Sequence, residues 1–422
     1  MTDQMLEQVR AALRAAPPIG SAAYLRYCDE LAAALRREWK TVREANEADL
    51  HAMRAQGQSD VLVERVRLAD PQFDAVLALI DSVRQALLEP QEGEEVGPLR
   101  ARRIRKPLGV VFMIYEARPT VTVEGALLPV VLGNAVILRG GKEISASNRV
   151  LASVVAGALR AAGLPGSMVT ILDDNDRSRL RALLKRPDAI DVVLPRGGPS
   201  LIDFCRRGST IPVIASGGGV NHLYVHASAD IGLAARIVLD SKLPEPTACN
   251  TLETVLCDDR VLSTVVESVI AEATTQRQSC TLKLPVANLV PGTEFVTLTT
   301  LAEHDRGREF LDRTIAIRPV AGLDEAVDFV RANGSGHTEG VVATDREVVE
   351  QFCSHVDAAA IVCNGSLRLH DGPTMGLGPE ISISTGRLHV RGPVALDALT
   401  TSAWVIKADG ALRGKPGHQG RN

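Results

Sequence analysis

The run Leu108-Gly-Val-Val-Phe-Met-Ile114 constrains this chain more than any other segment. It is apolar without alternation, so a strand there must be covered on both faces, as in a parallel sheet lying between helical layers. The residues that follow repeat the theme. A helix reaches to about 132, and Ala135-Val-Ile-Leu138 is a second strand. Residues 145–162 form a helix stopped by Gly163-Leu164-Pro165. Residues 168–172, 190–194 and 211–214 read as three more strands, with helices over 176–185 and 199–206 between them. Such alternation with short connections predicts βαβ units and a doubly wound parallel sheet. Sheets of that kind bind ligands beyond the carboxyl ends of their strands.

On either side the pattern changes. Residues 1–88 look helical, with apolar spacing of three and four over 22–42 and 73–88. After a break at 89–95, Arg100, Arg102, Arg103 and Arg105 alternate with apolar residues, which reads as an interface arm. Beyond 229 a second α/β segment begins, with strand-like runs at 253–256, 282–284, 294–298, 314–318, 340–343 and 359–362. A strand is expected near 400–406, and 413–422 reads as a frayed tail. The expected organisation is therefore helices and a first α/β domain over 1–229, with an arm at about 94–106. A second α/β domain follows over 230–365, and 366–422 is a separate C-terminal segment.

Composition narrows the function classes. Hydrophobic residues are 45% and charged residues 23%, so a packed core is affordable and disorder is excluded as the main state. Lys and Arg total 47 against 51 Asp and Glu, which leaves no basic field for nucleic acid. Seven scattered cysteines without C-x-x-C spacing imply a reducing compartment and no zinc motif, so no metal site is expected. The longest apolar stretch, 126–138, is broken by Gly133-Asn134 and is too short to span a bilayer. A cytoplasmic protein without a membrane segment is expected.

Three turns follow buried strands. They are Tyr115-Glu-Ala-Arg-Pro119, Arg139-Gly-Gly-Lys142 and Pro195-Arg-Gly-Gly-Pro-Ser200. Two of them pair an Arg with Gly-Gly just before a helix. Glycines allow backbone N–H groups to approach a phosphate, and a cation with a helix N-terminus supplies positive potential. Two such turns on one sheet point to a phosphate-bearing cofactor, although G-x-G-x-x-G is absent. Gly217-Gly218-Gly219 alone is a weak signal. Cys249 follows Pro244 and Pro246 and precedes Asn250-Thr251, polar and rigid surroundings that suit an exposed thiolate. The other six cysteines sit among apolar residues or in helices and read as inert packing.

These segments resemble the γ-glutamyl phosphate reductase family of the aldehyde dehydrogenase superfamily. The resemblance runs in family order through residues 115–122, 133–141, 195–198, Pro246-Thr-Ala-Cys-Asn-Thr-Leu-Glu253, Gly334-Ser-Gly-His-Thr338, Gly376-Leu-Gly-Pro-Glu380, 388–393 and 399–404. It implies an aldehyde-dehydrogenase-like fold and NADPH-dependent reduction of L-glutamyl 5-phosphate to glutamate 5-semialdehyde, the second step towards proline. Cys249, flanked by Asn250, would be the nucleophile, with its own N–H as the first oxyanion donor. Ala117 stands where oxidative relatives place an Asn, which leaves the second donor open. Arg139, Gly140, Gly141 and Lys142 would hold the adenosine ribose and 2′-phosphate. Arg196, Gly197, Gly198 and Ser200 would face the pyrophosphate, and Glu309-Phe310 would hold the nicotinamide ribose. Arg118, Arg368 and His337 would meet the acyl phosphate substrate. Self-association as a dimer or tetramer and a glutamate 5-kinase partner are implied as well. Residues 215–219 carry no carboxylate in place of the water-activating Glu of hydrolytic relatives, as a reductase requires.

Several positions depart from the family pattern. Family Lys-Thr-Gln-Arg-Pro is Lys242-Leu-Pro-Glu-Pro246 here, Thr120 replaces Asn, and family Thr-Arg-Phe-Thr-Asp-Gly-Gly is Leu367-Arg-Leu-His-Asp-Gly-Pro373. Glu245 thus puts an acid where a phosphorylated substrate is expected. A site built to hydrogen-bond a substrate discriminates strongly when such groups change. A paralogue acting on another activated carboxylate, and a silent partner of a kinase, are the alternatives to the proline-pathway enzyme.

Overall fold

The computed structural model describes residues 2–89, 95–97, 100–116, 118–173, 176–286, 290–408, 410 and 412–413. Ala117, the start of the expected arm at 94, and the tail at 414–422 lie outside the described residues. The chain divides into two compact units. One comprises Met1–Leu194, Arg207–Val213 and Ala395–Asn422; the other comprises Pro195–Arg206 and Ile214–Val394.

The first unit opens with helices Thr2–Ala15, Ala22–Ala55, Asp60–Val66 and Asp70–Ala86. Strands β1 (Glu95–Val96) and β2 (Ala101–Pro107) pair antiparallel. The parallel sheet follows, with β3 (Val110–Tyr115), β4 (Ala135–Arg139), β5 (Val169–Ile171) and β6 (Val192–Arg196) in the order β5-β4-β3-β6. Every residue of β3 is buried, as the unbroken apolar run requires. The Gly133-Asn134 corner explains itself. Gly133 sits at φ 81°, which favours glycine. Buried Asn134 accepts from the Gly109 N–H at 3.0 Å and donates to the carbonyls of Pro129 and Leu399 at 2.9 and 3.0 Å.

The strand expected at 211–214 does not form. Only the isolated bridges Val193–Val213 and Arg196–Ser216 remain. Pro212 offers its carbonyl to the Val193 N–H at 2.9 Å, but it has no N–H with which to continue a ladder.

The second unit carries seven parallel strands. They are β7 (Asn221–Val225), β8 (Leu252–Asp258), β9 (Cys280–Leu284), β10 (Val296–Thr300), β11 (Thr314–Val320), β12 (Thr338–Val342) and β13 (Ala360–Cys363). Their order is β10-β9-β11-β8-β7-β12-β13. All seven residues of β8 are buried, and helices Ile231–Asp240 and Leu262–Thr275 cover one face with Ala, Val, Leu and Ile. Strands β14 (Glu380–Ser384) and β15 (Gly392–Ala395) form a two-stranded sheet. Strand β16 (Thr400–Val405) pairs antiparallel with β2 in the first unit. No described helix is long and apolar enough to cross a membrane.

The cysteines correct one expectation. Cys28, Cys205, Cys257 and Cys280 are buried, but Cys353 and Cys363 are exposed. Cys353 lies on the outward side of helix Arg346–His355, and Cys363 ends the edge strand β13, so apolar neighbours in sequence do not enclose them.

Candidate active site

Cys249 sits on the loop that links helix Ile231–Asp240 to β8. The loop closes on itself. The Leu252 N–H donates to the Ser241 carbonyl at 2.9 Å, and the Glu245 carbonyl accepts from the Ala248 N–H at 3.1 Å and from the Thr251 hydroxyl at 2.8 Å. Asn221 at the start of β7 anchors it. Its Nδ2 donates to the Cys249 and Thr251 carbonyls at 2.8 and 2.7 Å, and its Oδ1 accepts from the Thr338 N–H at 3.1 Å. Gly219 packs against the same carbonyl so closely that a Cβ there would stand 1.5 Å from Cys249 O. Neither Asn221 nor Gly219 was marked as functional by sequence, because their partners lie 28–30 residues away.

The Cys249 thiol is half-buried rather than exposed, and burial pushes its pKa up. Arg196 and Arg368 pull the value down, while Glu380 and Glu309 push it up. A nucleophilic cysteine acts as its thiolate, and a raised pKa leaves the resting sulfur protonated near neutrality. The kcat/KM of the enzyme should therefore climb as pH rises through the ordinary thiol range. Arg196→Gln should move that limb further to alkaline pH, and a pH profile flat from 7 to 9 would contradict this assignment.

Arg368 and Asn250, assigned separate roles above, meet, and Glu245 joins them. Arg368 donates to Asn250 Oδ1, and its second nitrogen lies 2.5 Å from Glu245 Oε2. Asn250 Nδ2 in turn donates to the His370 carbonyl at 3.0 Å. Glu245 is thus the partner of the candidate substrate cation, and its charge is offset rather than left facing an anion.

His337 does not open onto this loop. It is fully enclosed, with Nδ1 at 2.6 Å from the Thr338 hydroxyl, which is itself 2.8 Å from His370 Nδ1. Burial pushes the His337 and His370 imidazoles down to about 3 and about 4, so both stay neutral. They position the 370 corner that receives Asn250.

Two carboxylates converge on Cys249 from distant segments. Glu309 accepts from the Gly219 N–H at 3.1 Å, and a Cβ on Gly218 would fall 2.4 Å from its Oε2. Glu380, in a segment quoted above only for its resemblance, is pushed up to about 7 by burial. The absence of an acid from 215–219 therefore does not leave the thiol without carboxylates nearby. Phe310 is fixed by its N–H to Glu253 Oε2 at 3.0 Å, and Glu253 is paired with buried Lys242 at 2.9 Å. Burial drives both members of that pair towards neutrality, with Lys242 lowered and Glu253 raised to about 7.

Arg196 ends β6, and Gly197-Gly198 lead into helix Pro199–Gly208. The Gly198 carbonyl accepts from the N–H groups of Leu201 and Ile202, and Ser200 lies in the first helical turn. In the first unit, Arg118 is the N-cap of helix Pro119–Leu127, behind a buried chain from the Tyr115 hydroxyl through Thr122 to Asn148. Arg139, Gly140, Gly141 and Lys142 follow β4. Here the expected helix N-terminus is already taken. Asp49 accepts from the N–H groups of Ala146 and Ser147 at 3.0 and 2.8 Å, at the start of helix Ser145–Ala161. A phosphate at this turn would meet the Arg139 and Lys142 side chains instead.

The first unit is a parallel α/β unit with cationic residues after β4, the second an α/β unit with a cysteine pinned ahead of a buried strand, and the class they point to is an enzyme of α/β fold. The chain matches the aldehyde dehydrogenase family over residues 7–307. It is 37% identical to the γ-glutamyl phosphate reductase of Deinococcus radiodurans over 97% of this chain and 96% of that one. It is also 37% identical to the protein of that name from Xanthomonas axonopodis pv. citri, over 96% and 98%. The crystal structure of γ-glutamyl phosphate reductase from Thermotoga maritima matches with a TM-score of 0.87 at 31% identity, covering 97% of this chain and 99% of that one. An acetylating aldehyde dehydrogenase from Geobacillus thermoglucosidasius shares the fold, with a TM-score of 0.69 at 20% identity over 96% and 95%. This chain belongs to the aldehyde dehydrogenase family, within its γ-glutamyl phosphate reductase branch.

Proposed function

We propose that this protein reduces L-glutamyl 5-phosphate to L-glutamate 5-semialdehyde and phosphate with NADPH, through a thioester on Cys249. The observation that carries this reading is the pinned Cys249, whose thiol pKa is lowered by the charges of Arg196 and Arg368 and raised by those of Glu380 and Glu309. The near-full-length relatives named for this activity support it. As a family member the enzyme works with a nicotinamide cofactor.

The residues after β4 fit the phosphates of such a cofactor. Lys142 is exposed and Arg139 partly so, and the helix N–H groups beside them are engaged by Asp49, which leaves the cationic side chains to meet an anion. Glu309, held at Gly219 beside the cysteine loop, would accept from ribose hydroxyls. When bound, the nicotinamide supplies a hydride to the thioester carbon.

Everything else falls to the chain itself. The Cys249 sulfur attacks the acyl carbon, the carbon–oxygen bond to phosphate breaks, and a thioester remains. Arg196 and Arg368 favour the thiolate and meet the leaving phosphate's charge. Reduction leaves an oxyanion on the same carbon, and as its C=O bond re-forms the carbon–sulfur bond breaks, releasing the aldehyde and the thiolate. Glu380, titrating near neutrality, is the candidate to take the thiol proton before attack and to return it to the released thiolate. A substrate panel read by NADPH consumption tests the reading. Glutamyl phosphate, or the semialdehyde with NADP and phosphate in reverse, should give the highest kcat/KM, and preference for another acyl phosphate would overturn it.

Two variants probe the details. Lys142→Ala should raise the KM for NADPH about tenfold and leave that for NADH little changed, because only the 2′-phosphate adds charge for Lys142 to meet. Equal losses for both cofactors would refute this role. Glu245→Gln should free Arg368 from its partner and lower the KM for an anionic substrate by roughly two- to fivefold, the scale of an exposed ion pair. A raised KM would instead make Glu245 a support for Arg368.

The reading also includes self-association. Trp404, Val405 and Ile406 at the end of β16 are exposed, with Arg103 of the paired strand 5.8 Å over the Trp404 ring. An apolar and aromatic edge of this kind favours a dimer or tetramer. A kinase that supplies the unstable acyl phosphate remains the candidate partner.

A further inference from the structure

Two thiols that the reductive chemistry does not use face each other on the surface of the second unit. Cys353 Sγ and Cys363 Sγ lie 3.5 Å apart, close enough for a thiol–thiol hydrogen bond. Both side chains are exposed. Each is carried by a packed element. Helix Arg346–His355 is seated by buried Phe352, whose ring lies 6.1 Å from that of Tyr224 on β7. The end of β13 is fixed by Asn364, whose side chain accepts from the Ala343 N–H and donates to the Ala343 carbonyl, both at 3.0 Å. Asn364 holds φ 52°, so the strand stops there in a defined turn. A disulfide needs a sulfur separation of about 2.05 Å, so closing the bond asks for a sulfur movement of roughly 1.5 Å, within the reach of side-chain rotation.

We propose that Cys353 and Cys363 form a redox-modification site, closed to an intramolecular disulfide by a hydroperoxide and reopened by a dithiol. With hydrogen peroxide, one sulfur attacks the O–O bond and becomes a sulfenic acid, releasing water. The second sulfur displaces the hydroxyl, which leaves as water with the remaining thiol proton. In sum, two thiols and one peroxide give one disulfide and two waters. Each sulfur loses one electron and the peroxide gains two. Burial and its neighbour push the Cys363 thiol up to about 11, and the product is the same whichever sulfur makes the first attack. Transient disulfides of this kind are compatible with a reducing compartment. The bond would tie the helix to the strand end five residues ahead of Arg368, on the segment whose His370 carbonyl holds Asn250.

The experiment uses the full chain with Cys249→Ala, so that the reactive thiol of the active site does not compete. After brief treatment with hydrogen peroxide and alkylation of the remaining thiols, the accessible thiols should fall by two. Before alkylation the intact mass should fall by two hydrogens, and a peptide joining 353 to 363 should appear. Dithiothreitol should reverse all three. Adding either Cys353→Ser or Cys363→Ser, both at exposed positions, should abolish the linked peptide. The proposal fails if both cysteines are alkylated after oxidation. It also fails if Cys353 goes on to sulfinic acid unlinked, or if the link joins other cysteines.

Discussion

Replacing Cys249 by alanine is expected to remove reductase turnover, by about a thousandfold or more, while leaving NADPH affinity nearly unchanged. The size of the effect follows from covalent catalysis. Without the sulfur there is no thioester, and hydride transfer to an acyl phosphate in one step is the difficult reaction that the thiol divides. The cofactor residues offered here, Arg139, Lys142 and Glu309, do not depend on the thiol. Turnover should therefore collapse while NADPH fluorescence titrates normally. A variant that kept even a few per cent of turnover would exclude the covalent route.

Gly219→Ala is expected to cost about a hundredfold in kcat/KM, the scale of an ångström-sized misplacement of a reacting group. An alanine Cβ would stand 1.5 Å from the Cys249 carbonyl oxygen and 2.6 Å from Asn221 Nδ2. Backbone has no way to yield there without moving the cysteine or breaking the Asn221 anchor. Gly217→Ala is the control from the same glycine run, since its Cβ would meet nothing closer than Ile202 Cδ1 at 4.0 Å. The pair separates positioning of the nucleophile from general effects on the 217–219 segment. Equal activity in the two variants would show that the close packing against Cys249 is not needed.

The parallel sheets were legible because burial on both faces leaves an unmistakable trace. β3 and β4 are short apolar runs bounded by turn signals, the pattern of a strand buried on both faces. β7 was not among the expected strands, because polar Asn221 and His222 open it and interrupt the apolar run. Both are fully buried and held by long-range partners, Asn221 by the cysteine loop and His222 through its N–H and Nδ1 by Glu339 at 2.8 and 3.0 Å. The site divided in the same way. Cys249, Arg196, Arg368 and Glu309 stood out through local pattern or resemblance. Glu380 became visible only when folding brought it near the thiol, and Asp49 only when it filled a helix N-terminus 97 residues away. Glu245 looked like an acid in the wrong place until its partner Arg368, 123 residues on, supplied the compensating charge. Periodicity reports which residues are buried, and it carries no information about which buried segments meet.

Running the reaction backwards without phosphate isolates the covalent step. With glutamate 5-semialdehyde and NADP in excess and no phosphate present, the enzyme should release one NADPH per subunit in a burst and then stop. A glutamyl group should be left on Cys249, detectable by mass spectrometry after acid quenching. Adding phosphate should discharge the thioester and restore steady turnover. Sustained NADPH release without phosphate would mean that water attacks the thioester and that the enzyme is hydrolytic. No burst and no acylated Cys249 would mean that the cysteine is not the nucleophile.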